Sequence, residues 1–392
     1  MPWKTMVGNR WVEIDTDAIR YNYQQVKNLV GPDVQIMAVV KADAYGLGAV
    51  ESARVLAECG AAMLAVTTVE EGVELREAGI SIPILLLSPF LPEEASLVVD
   101  YDLTPAVSSL EQVKALAATG TQKRKIHLKI ETGMGRTGLF SSEVGSFLRE
   151  LQQYPQIEIE GAFTHFAQAR AGDQFTKKQF AIFQDAVQEI LDNGIKLKFI
   201  HACNSAATLD LPEMHCNMVR VGTLLFGQCP PQVKNKLDLK DPWQVKARVI
   251  HVKDVPPGTS VGYGREFIAK KTTRIAVIPL GWADGLTVSP AIRPKNFLDL
   301  GKMIAKLILE FLGRGSQTTI RLGEKKYRLV GRLGMQLSMA EVDQDVRVGD
   351  EIQVTMRRLS TNSRLARVYF KDGQAYAWRL AGRTYDLRQT SH

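Results

Sequence analysis

The 392-residue sequence predicts an α/β fold, an N-terminal (β/α)8 (TIM) barrel followed by a C-terminal mostly β domain. Three observations lead there. From about residue 36, short apolar runs alternate with longer stretches of helical period. The runs carry little polar alternation, the pattern of parallel strands covered on both faces. Eight such units fit into roughly 200 residues, the size of a (β/α)8 barrel. A doubly wound open sheet shares this rhythm and is the competing architecture, because rhythm alone does not show closure.

The runs are IMAVVK (36–41), MLAVTT (63–68), IPILLLS (82–88), LTPAVS (103–108), KIHLKIE (125–131), IEIEGAFTHF (157–166), KFIHACN (198–204) and NMVRVGTLLFG (217–227). Between them lie helical stretches such as VEEGVELREAGI and SSEVGSFLRELQQYP, the latter with Ser141 as the expected N-cap and Pro155 as its stop. After about residue 240 the rhythm changes to VKARVIHVKDV, TTRIAVIPLG, TTIRLGEKKYRLVG, DEIQVTM and ARVYFKDGQAYAWRL, joined by turn sequences. The barrel is therefore expected over 10–238 and the β domain over 239–392, with WVEID a candidate strand lent to the later domain by residues 1–15. Inside the β domain, Met303, Ile304, Leu307, Ile308, Phe311 and Leu312 form one helical stripe ending at Gly313. This helix, near 302–312, is expected to pack against its own domain, with a lid or a subunit contact as the other reading.

Composition excludes several classes. An apolar fraction of 45% with 23% charged residues is that of a folded globular chain, not a disordered, collagenous or coiled-coil one. The net charge of +7 comes from scattered residues, which reads as a solvated surface and not as a nucleic-acid face. The opening MPWKTMVGNRWVEID has no apolar stretch of signal-peptide length, and 82–92 and 303–312 are short and interrupted, so neither export nor a membrane span is expected. A cytoplasmic location follows. Cys59, Cys203, Cys216 and Cys229 lack metal-ligand spacing and are assigned no metal.

In a barrel, chemistry gathers at the carboxyl ends of the strands. Lys41 closes the first run, where desolvation favours its neutral amine and an amine can form a Schiff base. The fifth run supplies Lys129 and, through KIETGMGRTG, Arg136; the sixth ends at His165, the seventh at Asn204 and Ser205. The eighth carries Arg220 and Gly222. Ser205 and Gly222 lie at junctions where a hydroxyl and backbone N–H groups can take a phosphate. Each alone reads equally well as a cap, turn or core residue. A lysine, a phosphate cradle and arginines at one mouth point to pyridoxal phosphate joined to the lysine.

These residues carry a family resemblance. AVVKADAYGLG, KIETGMGRTG, FTHFA, HACNSAA, VRVGTLLFG, VGYGREF, PLGWADG and GRLGM resemble, in order and approximate spacing over about residues 10–355, the alanine racemase family of fold-type III pyridoxal-phosphate enzymes. The resemblance implies a cytoplasmic isomerase that supplies D-alanine for peptidoglycan. Lys41 would bind the cofactor and act as base or acid on one face of the substrate α-carbon; Tyr263 would act on the opposite face. His165 and Arg220 would tune that tyrosine, with Arg220 facing the pyridine nitrogen. Tyr45, Asn204, Ser205, Gly222 and Thr223 would complete the cofactor site. Arg136 would pair with the substrate carboxylate near Met335, oriented by a carbamylated Lys129. The family's tyrosine reaches the barrel mouth of a second chain, which implies a head-to-tail homodimer with shared sites and no nucleic-acid or membrane partner.

Departures from the family pattern bear on substrate range. Trp282 stands in GWADG where a tyrosine is usual, Gly334 and Gln336 flank Met335, and Ser363 falls where the family places a C-terminal tyrosine that touches the phosphate. A lost aromatic wall widens the pocket, so serine or other amino acids form the rival substrate class, and the helix near 302–312 is expected to border the wider entrance. A decarboxylase of the same fold type resembles the Arg136 and Arg220 motifs less well. A cofactor-binding carrier or regulator without catalysis would have no use for Tyr263.

Overall fold

The computed structural model describes residues 3–169, 172–234, 236–288, 294, 296–311 and 319–387. The chain divides into two compact units, one running from Thr16 to Pro242 and the other formed by the residues up to Asp15 together with those from Trp243 onward.

In the first unit, eight parallel strands follow the eight apolar runs: Gln35–Val39, Met63–Val66, Ile84–Leu86, Thr104–Val107, Arg124–Glu131, Ile157–Phe163, Phe199–His201 and Met218–Val221. Each of the first six pairs with the next, and the eighth pairs with the first. Between the seventh and eighth the link is the Arg220 N–H donating to the Cys203 carbonyl at 2.9 Å, reinforced below by Asn217, whose carboxamide bonds Ile200 N–H and the Lys198 carbonyl. The result is a nearly closed TIM-like barrel. The strands lack polar alternation because both faces are covered: all four residues of Met63–Val66 and of Met218–Val221 are buried.

Helix starts obey local chemistry. Thr68 and Glu71 form a reciprocal capping box, and Ser109 and Asp173 accept backbone N–H groups at the starts of Leu110–Ala118 and Gln174–Asp192. Ser141 is a correction: it opens a 3-10 turn, Ser141–Glu143, and the α-helix begins at Val144. The Glu143 carboxylate accepts the Phe140 N–H there, which makes a serine cap unnecessary.

The second unit is an eleven-stranded, mostly antiparallel sheet. Its N-terminal member, Arg10–Asp15, runs antiparallel to Trp243–Arg248 and parallel to Ala366–Lys371. Trp3, Trp11, Val368 and Trp378 pack around it as an apolar cluster, so the first residues are tied into this unit. The helix inside it spans Phe297–Phe311; Leu312 and Gly313, expected to end it, lie outside the described residues. The expectation that its apolar stripe packs on its own domain is not met. Phe297, Ile304, Leu307 and Ile308 are all exposed among the described residues. No described helix is long and apolar enough to cross a membrane.

Candidate functional site

A cavity of 920 Å³ opens in the barrel unit and is lined by Lys41, Tyr45, Lys129, Arg136, His165, Asn204, Ser205, Arg220, Gly222 and Thr223. These ten residues come from five separate segments, and the carboxyl ends of the strands bring them together. Tyr263 and Met335 belong to the other unit, where their side chains are 71% and 60% exposed.

Lys41 does not end the first strand. That strand stops at Val39, and Ala42, Asp43, Ala44 and Tyr45 follow with φ between 51° and 57°, a left-handed turn built without glycine. Each such residue costs about 1–2 kcal/mol, so the turn must be held from outside. Glu71 accepts the Ala42 N–H at 2.6 Å and the Thr67 N–H at 2.7 Å, and the Asp43 carboxylate accepts the Ala49 N–H at 2.8 Å. The turn aims Lys41 and Tyr45 into one cavity from positions four apart. Burial and the nearby Arg136 guanidinium push the Lys41 ammonium below its ordinary pKa, against the pull of Glu71.

The residues expected to cradle a phosphate lie beneath Tyr45. A Cβ on Gly222 would sit 2.3 Å from the Tyr45 hydroxyl, so only glycine admits that ring. Gly222 N–H donates to Ser205 Oγ at 3.1 Å, and burial raises the Tyr45 phenol to about 12, which keeps it a donor. Thr223 Oγ1 is buried without a partner among the described residues, an orphan that an anion in the cavity would satisfy. Asn204 lines the same wall, but its side-chain oxygen accepts the Ala206 and Ala207 N–H groups.

Arg220 is 3% exposed. Its Nη1 donates to the His201 carbonyl and Nδ1, and its Nη2 to the carbonyls of Thr164 and Ala202, with His165 Nδ1 at 3.4 Å. Nε–H remains as its donor without a protein acceptor among the described residues. Burial lowers this guanidinium to about 10, still charged at neutral pH, and burial with Arg220 and Arg136 lowers His165 to about 3, leaving a neutral imidazole. Lys129 falls to about 8 through burial and the same arginines, and donates to Thr137 Oγ1 at 2.5 Å.

Several groups at this site escape motif reading. Burial works against the Glu131 carboxylate, yet the backbone N–H groups of the 133–136 loop hold it below its ordinary pKa; it accepts Gly133 N–H at 2.6 Å and Arg136 N–H at 3.1 Å and so folds the loop that presents Arg136. Glu71 is visible in sequence only as the fourth residue of a T-x-x-E capping box. His127 and His201, both fully buried, stand behind Arg220.

A cavity with an activated lysine, a donor-rich cradle and a buried guanidinium suits a phosphorylated aldehyde that condenses with an amine. Comparison with known proteins adds the following. The family model for the alanine racemase N-terminal domain matches residues 14–230, and that for the alanine racemase C-terminal domain matches 243–369. An alanine racemase of Halothermothrix orenii is 38% identical over 356 residues, 89% of this chain and 88% of the relative. Alanine racemase 1 of Oceanobacillus iheyensis is 44% identical over 290 residues, 72% of this chain and 77% of the relative. Among solved structures, alanine racemase of Clostridium difficile 630 superposes with a TM-score of 0.83 at 30% identity, covering 95% of this chain and 98% of that one.

Proposed function

Because the chain belongs to the alanine racemase family, we propose that it interconverts L- and D-alanine with pyridoxal phosphate, working from Lys41 on one face of the α-carbon and Tyr263 on the other. The observation that carries this is the cavity: the lysine, the phosphate cradle and Arg220 line one space. Lys41 would hold the cofactor aldehyde, Tyr45, Ser205, Gly222 and Thr223 its phosphate, and Arg220 its ring nitrogen. Bound there, the cofactor supplies an electron sink that makes the α-hydrogen acidic.

The remaining work falls to protein groups. Arg136 grips the substrate carboxylate, a bidentate pairing that fixes which bond faces Lys41. Burial and Arg136 shift Lys41 toward the free amine, the form able to take the proton on its own face. Tyr263 returns a proton from the opposite face and, as in the family, would be lent by a second copy in a head-to-tail dimer. His165, kept neutral, can pass a proton without trapping it. A permanently charged Arg220 keeps the ring nitrogen unprotonated, which limits side reactions such as transamination. The D-alanine formed would serve peptidoglycan synthesis in the cytoplasm.

The test is direct: purified protein shows a visible absorption band that borohydride bleaches, and it converts L- to D-alanine. A colourless protein that leaves alanine unchanged removes the reading. A serine or broader substrate range is the rival reading, resting on the serine at 363 where the family places a tyrosine. Ser363 is exposed in a turn that Asn362 ties to the Ala283 and Asp284 carbonyls, so it adjoins the loop bearing Trp282, itself 50% exposed. A panel of L-amino acids ranks the two; serine turned over at a measurable fraction of the alanine rate supports the broader range.

Gly222→Ala is expected to weaken pyridoxal-phosphate binding about 10- to 100-fold, the loss of one charge-assisted donor, because the new Cβ displaces Tyr45 from the cradle. Titration of the cofactor-free protein by absorbance measures it. Lys129, lowered to about 8, is an ammonium below that pH and an amine above it. Uptake of labelled carbon dioxide as a carbamate should therefore rise as pH climbs through about 8, read by 13C NMR, and vanish in Lys129→Ala. An uptake that persists in that variant places the carbamate elsewhere.

A further inference from the structure

We propose that Glu160 is a positioning residue for Arg220, acting through His127 and His201 as one directional file of N–H groups across the barrel interior. The proposal rests on the reading of Arg220 as the partner of the cofactor ring. Glu160 does not line the 920 Å³ cavity; it lines a second one of 370 Å³, with Thr104, Arg124, Lys125 and Lys198 at the amino ends of the strands.

Between the two cavities a parallel barrel is normally packed with apolar layers. Here His127 and His201 are fully buried in it, and their polarity must be accounted for. The geometry leaves one solution. Arg220 Nη1 lies 3.0 Å from His201 Nδ1. A guanidinium only donates, so that nitrogen carries a lone pair. Burial and Arg220 hold His201 neutral, which leaves its single proton on Nε2. Nε2 faces His127 Nδ1 at 2.8 Å, and two neutral rings need one donor and one acceptor there. Nδ1 of His127 therefore accepts, and its proton resides on Nε2.

Among the described residues that last N–H has no acceptor within hydrogen-bond distance; the Glu160 carboxylate stands opposite it, Oε2 at 3.9 Å. His127 and Lys125 hold Glu160 at about 2, so it is ionised, and Lys125 anchors Oε1 at 2.8 Å with Lys198 at 3.7 Å. The carboxylate thus favours the proton on the near nitrogen of His127, and each ring passes that choice on towards Arg220. Room for the file is made by Gly161, where a Cβ would meet the His127 ring at 2.8 Å, and Phe163 stacks on His201 with ring centroids 5.0 Å apart.

In Glu160→Gln the amide oxygen goes to Lys125 and the NH2 group meets His127 Nε2, donor against donor. Reversing both tautomers to relieve this would set an N–H of His201 against the Arg220 guanidinium, so no single arrangement satisfies the file. The experiment is 15N NMR of histidine-labelled protein, recorded without cofactor and as holoenzyme, the resonances assigned with His127→Phe and His201→Phe. Wild type is expected to show both rings as neutral Nε2–H tautomers in both forms. Glu160→Gln is expected to lose that single tautomer and to lower kcat about two- to thirty-fold with KM nearly unchanged. Glu160→Asp, which keeps the charge, should retain the tautomers and is the second variant should the first not fold. An Nδ1–H tautomer or an imidazolium on either ring in wild type overturns the proposal, as does loss of the Nε2–H signals in Glu160→Asp to the same degree as in Glu160→Gln. Correct tautomers in a protein that fails to racemise alanine uphold the file and reject the enzymatic reading; racemisation with the wrong tautomers does the reverse.

Discussion

Replacing Tyr263 with phenylalanine is expected to lower kcat for alanine by about 10²- to 10⁴-fold, the usual worth of a positioned proton donor, while the melting temperature and bound cofactor stay as they were. Tyr263 sits between Gly262 and Gly264, with φ of 81° and 67°, in a segment bridged to Arg332. Its side chain is presented outward, not packed, so removing the hydroxyl leaves no cavity and no orphaned partner among the described residues of its own unit. The groups expected to hold the cofactor all line the barrel cavity, and the substitution changes none of those residues. A sharper signature follows from two-face chemistry. Lys41 can still remove and return a proton on its own side, so one enantiomer should exchange its α-hydrogen with deuterated solvent although inversion has stopped. Mass spectrometry of recovered L- and D-alanine measures this. Equal exchange and unchanged inversion would assign the second proton step to another group.

How far such a site can be read from sequence depends on where its contacts come from. The eight barrel strands were legible because burial on both faces makes each a continuous apolar run, and Lys41, Arg136 and Arg220 because they sit within local motifs. The strand Ser338–Val342 was not, since its inward residues Ser338 and Ala340 are small and blur the alternation. The helix at Phe297–Phe311 begins earlier than its apolar stripe suggests, because Asn296 accepts the Asp299 N–H and caps it. The left-handed turn after Lys41 carries no glycine to announce it. It exists because Glu71, on the next barrel unit, supplies an acceptor that only the folded chain brings near. The His127–His201 pair is hidden for the same reason: each stands among other polar residues of KIHLKIE and KFIHACN with nothing in sequence to mark it, and their partnership appears only when the fifth and seventh strands face each other inside the barrel.

Lys41→Ala should remove the borohydride-sensitive absorption and reduce racemisation by at least about 10³-fold, since it would delete both the proposed covalent anchor and a proposed proton carrier. Added methylamine restores neither position nor burial and should rescue little. The more telling use of this variant is in combination. Neither Lys41→Ala nor Tyr263→Phe chains are active alone. If each site draws Lys41 from one chain and Tyr263 from its partner, a mixed dimer holds one site with both defects and one with neither. Random pairing makes half the dimers mixed, so about a quarter of wild-type activity should return on co-refolding equal amounts. Were both groups of a site drawn from one chain, every chain would carry a defect and no activity would return. Size-exclusion chromatography of the mixture, alongside the rate assay, confirms that the two variants have exchanged partners before a lack of recovery is scored against the shared site.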